Sequence, residues 1–190
     1  LFSSFYNCEV LDYGCCMVND RHTAEIEPTV TVVSHSAEDT ARLGAAVGAR
    51  LAAGDVVILR GPLGAGKTVF TQGIGRGLGV REHVISPTFT LLREHTSGRL
   101  PLYHVDAYRL AGAAEAYTFG LDEYLYGEGV TVIEWGERVE TLLPDEYLAV
   151  ELVYGETGER TLTLSARGAH YADVLRALTP TEDNDHAPGD

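Results

Sequence analysis

Short apolar runs alternate with amphipathic segments along most of the chain, and two runs of alternating polarity follow near its end. Apolar runs bounded by glycine or proline predict buried strands, and apolar residues repeating every three or four positions predict helices. The predicted strands are Thr29–Val33, Asp55–Leu59, Thr88–Glu94, Leu100–Val105, Val130–Ile133, Tyr147–Val153 and Arg160–Ser165. The predicted helices run from Ala37 to near Gly54 and over Gly66–Leu78, Ala111–Leu125, Glu137–Leu142 and Ala169–Leu178.

The order of these elements predicts the class of fold. Strands alternate with helices first, which favours an α/β fold with a mostly parallel sheet flanked by helices. The last two strands flank Gly155-Glu-Thr-Gly158, so they are predicted to form an antiparallel hairpin. We predict one domain over residues 29–178 and an irregular extension over residues 1–28. Residues 179–190 are acidic and poor in apolar side chains, so we expect a disordered tail.

A phosphate-binding sequence lies between a predicted buried strand and a predicted helix. Gly61-Pro-Leu-Gly-Ala-Gly-Lys67-Thr68 matches G-x-x-x-x-G-K-[ST], the P-loop pattern, in the strand–turn–helix context that this pattern requires. Lys67 is also the only lysine in the chain, so a chance match of lysine to the required position is improbable. The sequence therefore predicts a P-loop NTPase, with phosphate-binding residues Gly64, Ala65, Gly66, Lys67, Thr68 and Val69.

The helix after the P-loop carries three glycines. Gly73, Gly75 and Gly77 each lower intrinsic helix stability, and we interpret them as sites of close packing against the sheet.

Two carboxylates follow apolar strands downstream of the P-loop. Asp106 ends one such run and Glu134 ends another, at the edge where open α/β sheets bind ligands. A P-loop enzyme needs acids there to hold Mg²⁺ and to orient the attacking water. We predict that both acids are catalytic, and that Thr68, Asp106 and Glu134 hold the metal. Which of the two carboxylates ligates magnesium directly stays open.

Charge and composition limit the partners of this chain. The net charge is −14, which argues against direct binding of nucleic acid. No apolar run has the length of a membrane span and no secretory signal is visible, so we expect a cytoplasmic protein. Cys8, Cys15 and Cys16 all precede the only methionine, Met17. We favour translation from Met17, so that residues 1–16 would not be native.

The choice of base follows from the single lysine. Guanine-specific P-loop enzymes of the Ras type use an Asn-Lys-x-Asp motif, and this chain has no lysine left to form it. We therefore expect the ligand to be ATP with Mg²⁺.

Several motifs occur together in an order that resembles the TsaE family of bacterial ATPases, formerly called YjeE. The similarity covers about Val30 to Arg167, and its motifs are Gly64–Thr68, Ser86–Thr90, Tyr103–Leu110, Gly120–Tyr124 and Ile133–Trp135. The resemblance implies a role in forming N6-threonylcarbamoyladenosine in tRNA. It also implies weak ATP hydrolysis that depends on the TsaB–TsaD protein complex, with tRNA bound only through these partners.

The resemblance further implies roles for individual residues. Lys67 and Thr68 would hold phosphate and magnesium, Asp106 would be the strand-end acid, and Glu134 would serve metal binding and hydrolysis. Ser86–Thr90 resembles a switch-like loop near the γ-phosphate. Pro62 stands where the family usually has Asp, and Val69 where it has a second Thr. We expect phosphate binding to tolerate Pro62, since this position is free in the general pattern.

Two other functions are compatible with a P-loop of this kind. A small-molecule kinase would need an arginine-rich lid, whereas Arg93, Arg99 and Arg109 are scattered along the chain. A module without catalysis would use ATP binding alone to control assembly.

Overall fold

The computed structural model describes residues 16–17 and 28–178, which form an eight-stranded sheet with helices on both faces. The strands are β1 (Cys16–Met17), β2 (Thr29–Ser34), β3 (Val56–Arg60), β4 (Leu92–His95), β5 (Leu102–Asp106), β6 (Val130–Glu134), β7 (Tyr147–Tyr154) and β8 (Arg160–Arg167). The α-helices are α1 (Ala37–Gly48), α2 (Lys67–Leu78), α3 (Ala113–Thr118), α4 (Leu121–Leu125) and α5 (Ala169–Arg176). Two 3₁₀ helices span Ala107–Arg109 and Gly136–Leu142.

The strand order is β1-β2-β8-β7-β3-β6-β5-β4. The four central strands β7, β3, β6 and β5 are parallel to one another, and the pairs at both edges are antiparallel. The predicted α/β class, the mostly parallel centre and the C-terminal hairpin of β7 and β8 are confirmed. The short strand β1 lies inside the segment that was predicted to be irregular, and it pairs with β2.

The central strands are buried on both faces, which explains their unbroken apolar sequences. In β3, Val57 and Leu59 pack with Phe70 of α2 on one face. Val56 and Ile58 pack on the other face, in a cluster that includes residues of α3 and α4. All four of these β3 side chains are at most 1% exposed. The strand therefore holds the start of the P-loop rigidly, because it is fixed from both sides.

Helices α1 and α2 approach each other closely through glycine. A Cβ at Gly73 would lie 2.2 Å from the carbonyl oxygen of Ala41, and one at Gly77 would lie 2.3 Å from that of Ala45. Glycine is needed at these two positions because backbone fills the space. The interpretation that all three α2 glycines pack on the sheet was wrong for these two, which face α1. Gly75 does face the sheet, toward Leu102 of β5.

The first helix is shorter than predicted. It ends at Gly48, and the following turn is held by Asp55, whose Oδ2 accepts the N–H of Ala52 at 2.7 Å. The predicted helix over residues 111–125 is two helices, because Gly120 between them adopts a left-handed φ of 82°.

The predicted strand Thr88–Glu94 also begins later than expected, at Leu92. The N–H groups of Thr90 and Leu91 both donate to the carbonyl of Pro87, at 2.9 and 2.8 Å, and so form a turn. Leu91 has a φ of 63°, which breaks the extended conformation. Residues 86–90 are therefore a loop, and the side chains of Ser86 and Thr88 lie at the candidate site.

Within the described residues, no helix is both long and apolar enough to cross a membrane. The expectations for residues 1–15, for most of the N-terminal extension and for the acidic tail fall outside the described residues and stay predictions.

Candidate functional site

The P-loop curls between the end of β3 and the start of α2. Gly61 has a φ of 130°, and a Cβ there would lie 2.1 Å from the carbonyl oxygen of Leu152 in β7. Gly66 has a φ of 110° and directly precedes the first residue of α2, Lys67. A side chain at either glycine would be strained, so the local conformation explains why the sequence has glycine at both.

The loop presents donors to a phosphate group. The first N–H groups of α2, which include those of Lys67, Thr68 and Val69, precede the first intrahelical hydrogen bonds, and the helix dipole adds positive potential there. The carbonyl oxygen of Pro62 accepts both the N–H of Ala65, at 3.2 Å, and the ammonium of Lys67. Pro62 therefore serves the loop through its carbonyl, and the N–H that proline lacks is not part of this contact.

The Lys67 ammonium lies at the centre of the loop. Its Nζ donates to the carbonyl oxygens of Gly61 at 2.6 Å and Pro62 at 2.9 Å, and lies 3.7 Å from the ring centroid of Trp135. Burial lowers the pKa of Lys67, and the negative charges of Glu134, Glu137 and Asp106 partly oppose this shift. Lys67 is 5% exposed, so its ammonium group is largely shielded from solvent.

The carboxylate of Glu134 joins the end of β6 to the first turn of α2. The Thr68 hydroxyl donates to its Oε1 at 2.8 Å and lies 3.1 Å from its Oε2. On the other side, Nε2 of His104 lies 2.9 Å from the same Oε1. Glu134 is 4% exposed. The structure thus brings together two of the three residues that were predicted to hold the metal.

The carboxylate of Asp106 is bonded to the loop of residues 86–90. The hydroxyls of Ser86 and Thr88 donate to its Oδ2 at 2.7 and 2.6 Å, and the N–H of Tyr108 donates to its Oδ1 at 3.0 Å. Asp106 is 3% exposed. It lies directly opposite Glu134 in the parallel register of β5 and β6, so both predicted acids lie at one edge of the sheet.

Three further side chains belong to the site. His104 contacts Glu134, Glu137 acts electrostatically on Lys67, and Trp135 stacks near Tyr108 with ring centroids 5.0 Å apart. The sequence reasoning had not assigned a role to His104 or Glu137. Alternation along β5 could have indicated His104, because it lies two residues before Asp106 and on the same face.

The donor set fits a magnesium–nucleotide complex. A hydroxyl and buried carboxylates are the hard oxygen ligands that Mg²⁺ prefers, alongside phosphate oxygens and water. Within residues 28–178, no cluster of three or more His, Cys, Asp or Glu side chains could form a metal cage of its own. Thr68 and Glu134 are the residues that would hold Mg²⁺ together with a nucleotide phosphate.

Comparisons of the sequence with a family model and with known proteins all find the same family. The family model for "Threonylcarbamoyl adenosine biosynthesis protein TsaE" matches residues 34–162. The tRNA threonylcarbamoyladenosine biosynthesis protein TsaE of Treponema pallidum is 50% identical over 133 residues, covering 70% of this chain and 98% of that protein. The Bacillus subtilis TsaE protein is 43% identical over 142 residues, covering 75% of this chain and 89% of that protein.

A solved structure has the same fold. The crystal structure of Bacillus subtilis YdiB aligns with a TM-score of 0.72 and 35% sequence identity. The alignment covers 82% of this chain and 97% of that one.

Proposed function

The chain belongs to the TsaE family, which acts in tRNA threonylcarbamoyladenosine biosynthesis, and from this premise we propose that it binds ATP with Mg²⁺ and hydrolyses it in that process. One observation carries the proposal. The Thr68 hydroxyl of the P-loop lies 2.8 Å from the strand-end carboxylate of Glu134, beside the buried Lys67. These are the groups that a P-loop NTPase needs for phosphate, metal and water.

Phosphate binding is assigned to the loop and the start of α2. The N–H groups of Gly66, Lys67, Thr68 and Val69 would donate to phosphate oxygens. The Ala65 N–H would exchange its carbonyl partner for phosphate, and the Lys67 ammonium would exchange its carbonyl partners for the β- and γ-phosphates. The Trp135 ring lies against the same ammonium. These contacts fix the γ-phosphate in one position, which is the main requirement for phosphoryl transfer.

The two carboxylates have different tasks in this mechanism. A bound Mg²⁺ would supply positive charge that offsets the negative charge developing on the phosphate. Glu134 and Thr68 would hold the metal, and the free lone pairs of Glu134 would orient the attacking water. Asp106, bonded to Ser86 and Thr88, would hold the loop of residues 86–90 beside the phosphate.

The proposed partner is the TsaB–TsaD complex. The acidic charge of this chain argues against direct tRNA binding, so the partners would hold the tRNA. Large apolar side chains near the site also support a protein partner, because Leu63 in the P-loop is 75% exposed and Phe89 in the loop of residues 86–90 is 84% exposed.

The test is release of inorganic phosphate from ATP–Mg²⁺ by the purified chain, with and without purified TsaB and TsaD. We expect slow release alone, faster release with both partners, and loss of both activities in Lys67→Ala. Arg76→Ala is the matched control, because it removes one positive charge from α2 at the end away from the P-loop.

Each part of the proposal has its own contrary outcome. Unchanged ATP affinity of Lys67→Ala in isothermal titration would contradict the assigned phosphate site. Hydrolysis that TsaB and TsaD leave unchanged, with no binding to either, would contradict the partner assignment. Transfer of phosphate to a metabolite would favour a small-molecule kinase instead.

A further inference from the structure

His104 on β5 is a fully buried histidine with one ring nitrogen bonded and the other free. Its Nε2 lies 2.9 Å from Oε1 of Glu134, and its side chain is 0% exposed. Its Nδ1 has no hydrogen-bond partner within the described part of the chain. Since an ionised carboxylate can only accept, Nε2 carries a hydrogen in this contact. The ring therefore acts as a donor toward Glu134 alone.

The sheet register explains why this ring reaches Glu134. On the parallel strands β5 and β6, His104 lies opposite Val132, and Asp106 lies opposite Glu134. His104 and Glu134 are therefore diagonal neighbours on one face of the sheet. Thr68 donates to the same Oε1 from the first turn of α2. The glutamate is thus held from two sides, by a strand and by the P-loop helix.

We infer that His104 is a positioning residue that fixes the carboxylate of Glu134 toward Thr68 for metal binding and hydrolysis. The inference rests on the proposed function, since it gives a task to a neighbour of the proposed catalytic acid. Residues that donate to a metal-binding or catalytic group commonly change metal affinity or activity by about 10- to 100-fold when they are removed. Phosphate binding by Lys67 and the loop does not involve this contact, so ATP affinity should change much less.

Three variants separate positioning from packing. His104→Gln can place an amide N–H close to the position of Nε2, whereas His104→Asn is too short and His104→Leu has no donor. We expect His104→Leu and His104→Asn to lower kcat for phosphate release about 10- to 100-fold and to raise the Mg²⁺ concentration for half-maximal activity, with KM for ATP changing less than threefold. His104→Gln should recover most of the lost activity.

His95→Asn is the matched control. His95 is a second buried histidine, 2% exposed on the neighbouring strand β4, and its Nδ1 lies 3.4 Å from Glu82 rather than from Glu134. We expect His95→Asn to lower the melting temperature without the change in Mg²⁺ dependence. Equal kcat in the Gln, Asn and Leu variants of His104 would overturn the inference. So would a loss of kcat that follows the fall in melting temperature across these three variants and His95→Asn.

A spectroscopic measurement keeps the inference independent of activity. In long-range ¹H–¹⁵N NMR spectra of the free protein, the ring signal that His104→Gln removes should show hydrogen on Nε2, and it should shift in Glu134→Gln. A ring with hydrogen on Nδ1 and none on Nε2, or one insensitive to Glu134→Gln, would overturn the inference. A wild-type protein that releases no phosphate would contradict the proposed function, and the ring signal would then decide on its own whether His104 holds Glu134.

Discussion

The contact between α1 and α2 can be tested by a single added methyl group. In Gly73→Ala, the new Cβ would lie 2.2 Å from the carbonyl oxygen of Ala41 and 2.9 Å from the Cα of Gly44. Both neighbours are backbone atoms of α1, so they cannot rotate away as a side chain would. The helices would have to separate by about 0.8 Å to reach the shortest contact that real Cβ atoms make.

The size of the effect follows from two opposing contributions. Replacing glycine by alanine within a helix stabilises it by about 0.5–1 kcal/mol. Forcing a group into a packed interior costs about 1–3 kcal/mol, and a collision with backbone belongs at the upper end of that range. We expect the free energy of unfolding to fall by about 1–2 kcal/mol. For a chain of this size, the melting temperature would then fall by roughly 2–8 °C.

The same substitution should also disturb the site. Thr68 lies five residues before Gly73 on α2, about 7.5 Å along the helix axis. Displacement of α2 would therefore lengthen the 2.8 Å contact between Thr68 and Glu134, and phosphate release should slow together with the loss of stability.

Thermal unfolding and phosphate release of Gly73→Ala and Gly75→Ala test the close contact between α1 and α2. Gly75→Ala is the control, because its Cβ would meet the side-chain tips of Val84 and Leu102 rather than backbone. Its unfolding free energy should change by less than about 1 kcal/mol, since side chains can adjust. A Gly73→Ala protein that melts at or above the wild-type temperature, or a Gly75→Ala protein that loses as much stability, would contradict the close packing of α1 on α2.

The remaining predictions concern the polar groups of the site. Glu134→Gln and Asp106→Asn should retain ATP binding by isothermal titration but release phosphate at least about 100-fold more slowly, and normal release in both would show that the acids were wrongly assigned. Removing the Thr88 hydroxyl in Thr88→Val should lower the free energy of unfolding in urea by about 1–3 kcal/mol, because a buried oxygen of Asp106 loses a donor. Burial lowers the pKa of Lys67 in the folded protein below its ordinary 10.5. Between the folded and unfolded pKa values the unfolded chain therefore binds more protons, so the contribution of Lys67 to the free energy of unfolding rises with pH across that interval. Lys67→Met should lack this contribution, so a difference in unfolding free energy from wild type that stays constant with pH would contradict it.

The parts of the site that depend on local rules could be predicted from sequence. The P-loop has a fixed spacing, and its glycines take the left-handed conformations that the spacing requires, as at Gly66. Asp106 and Glu134 could be found because each ends an apolar run, and parallel strands bring such ends to one edge. These predictions needed no knowledge of which strands are neighbours.

The parts that depend on strand order and helix packing could not be predicted. The hydrogen bond of His104 to Glu134 requires that β5 and β6 be adjacent and in register, which neither sequence segment specifies. Thr88 was predicted to begin a strand, whereas its hydroxyl donates to Asp106 and the segment around it is a loop. The contact of Gly73 with Ala41 of α1 could not be predicted either, because the packing of α1 on α2 joins residues that are distant in sequence.

Three carboxylates around Lys67 partly oppose the lowering of its pKa by burial. Glu134, Glu137 and Asp106 all act on this ammonium, so the side chains considered together carry a net charge of about −2. Free ATP is itself strongly anionic, and such a surface would oppose its approach. A divalent cation that arrived with the nucleotide would have the charge to balance these carboxylates, and Thr68 with Glu134 would present the oxygens to hold it. On the proposed function, we therefore expect ATP to bind together with Mg²⁺ rather than as the free anion.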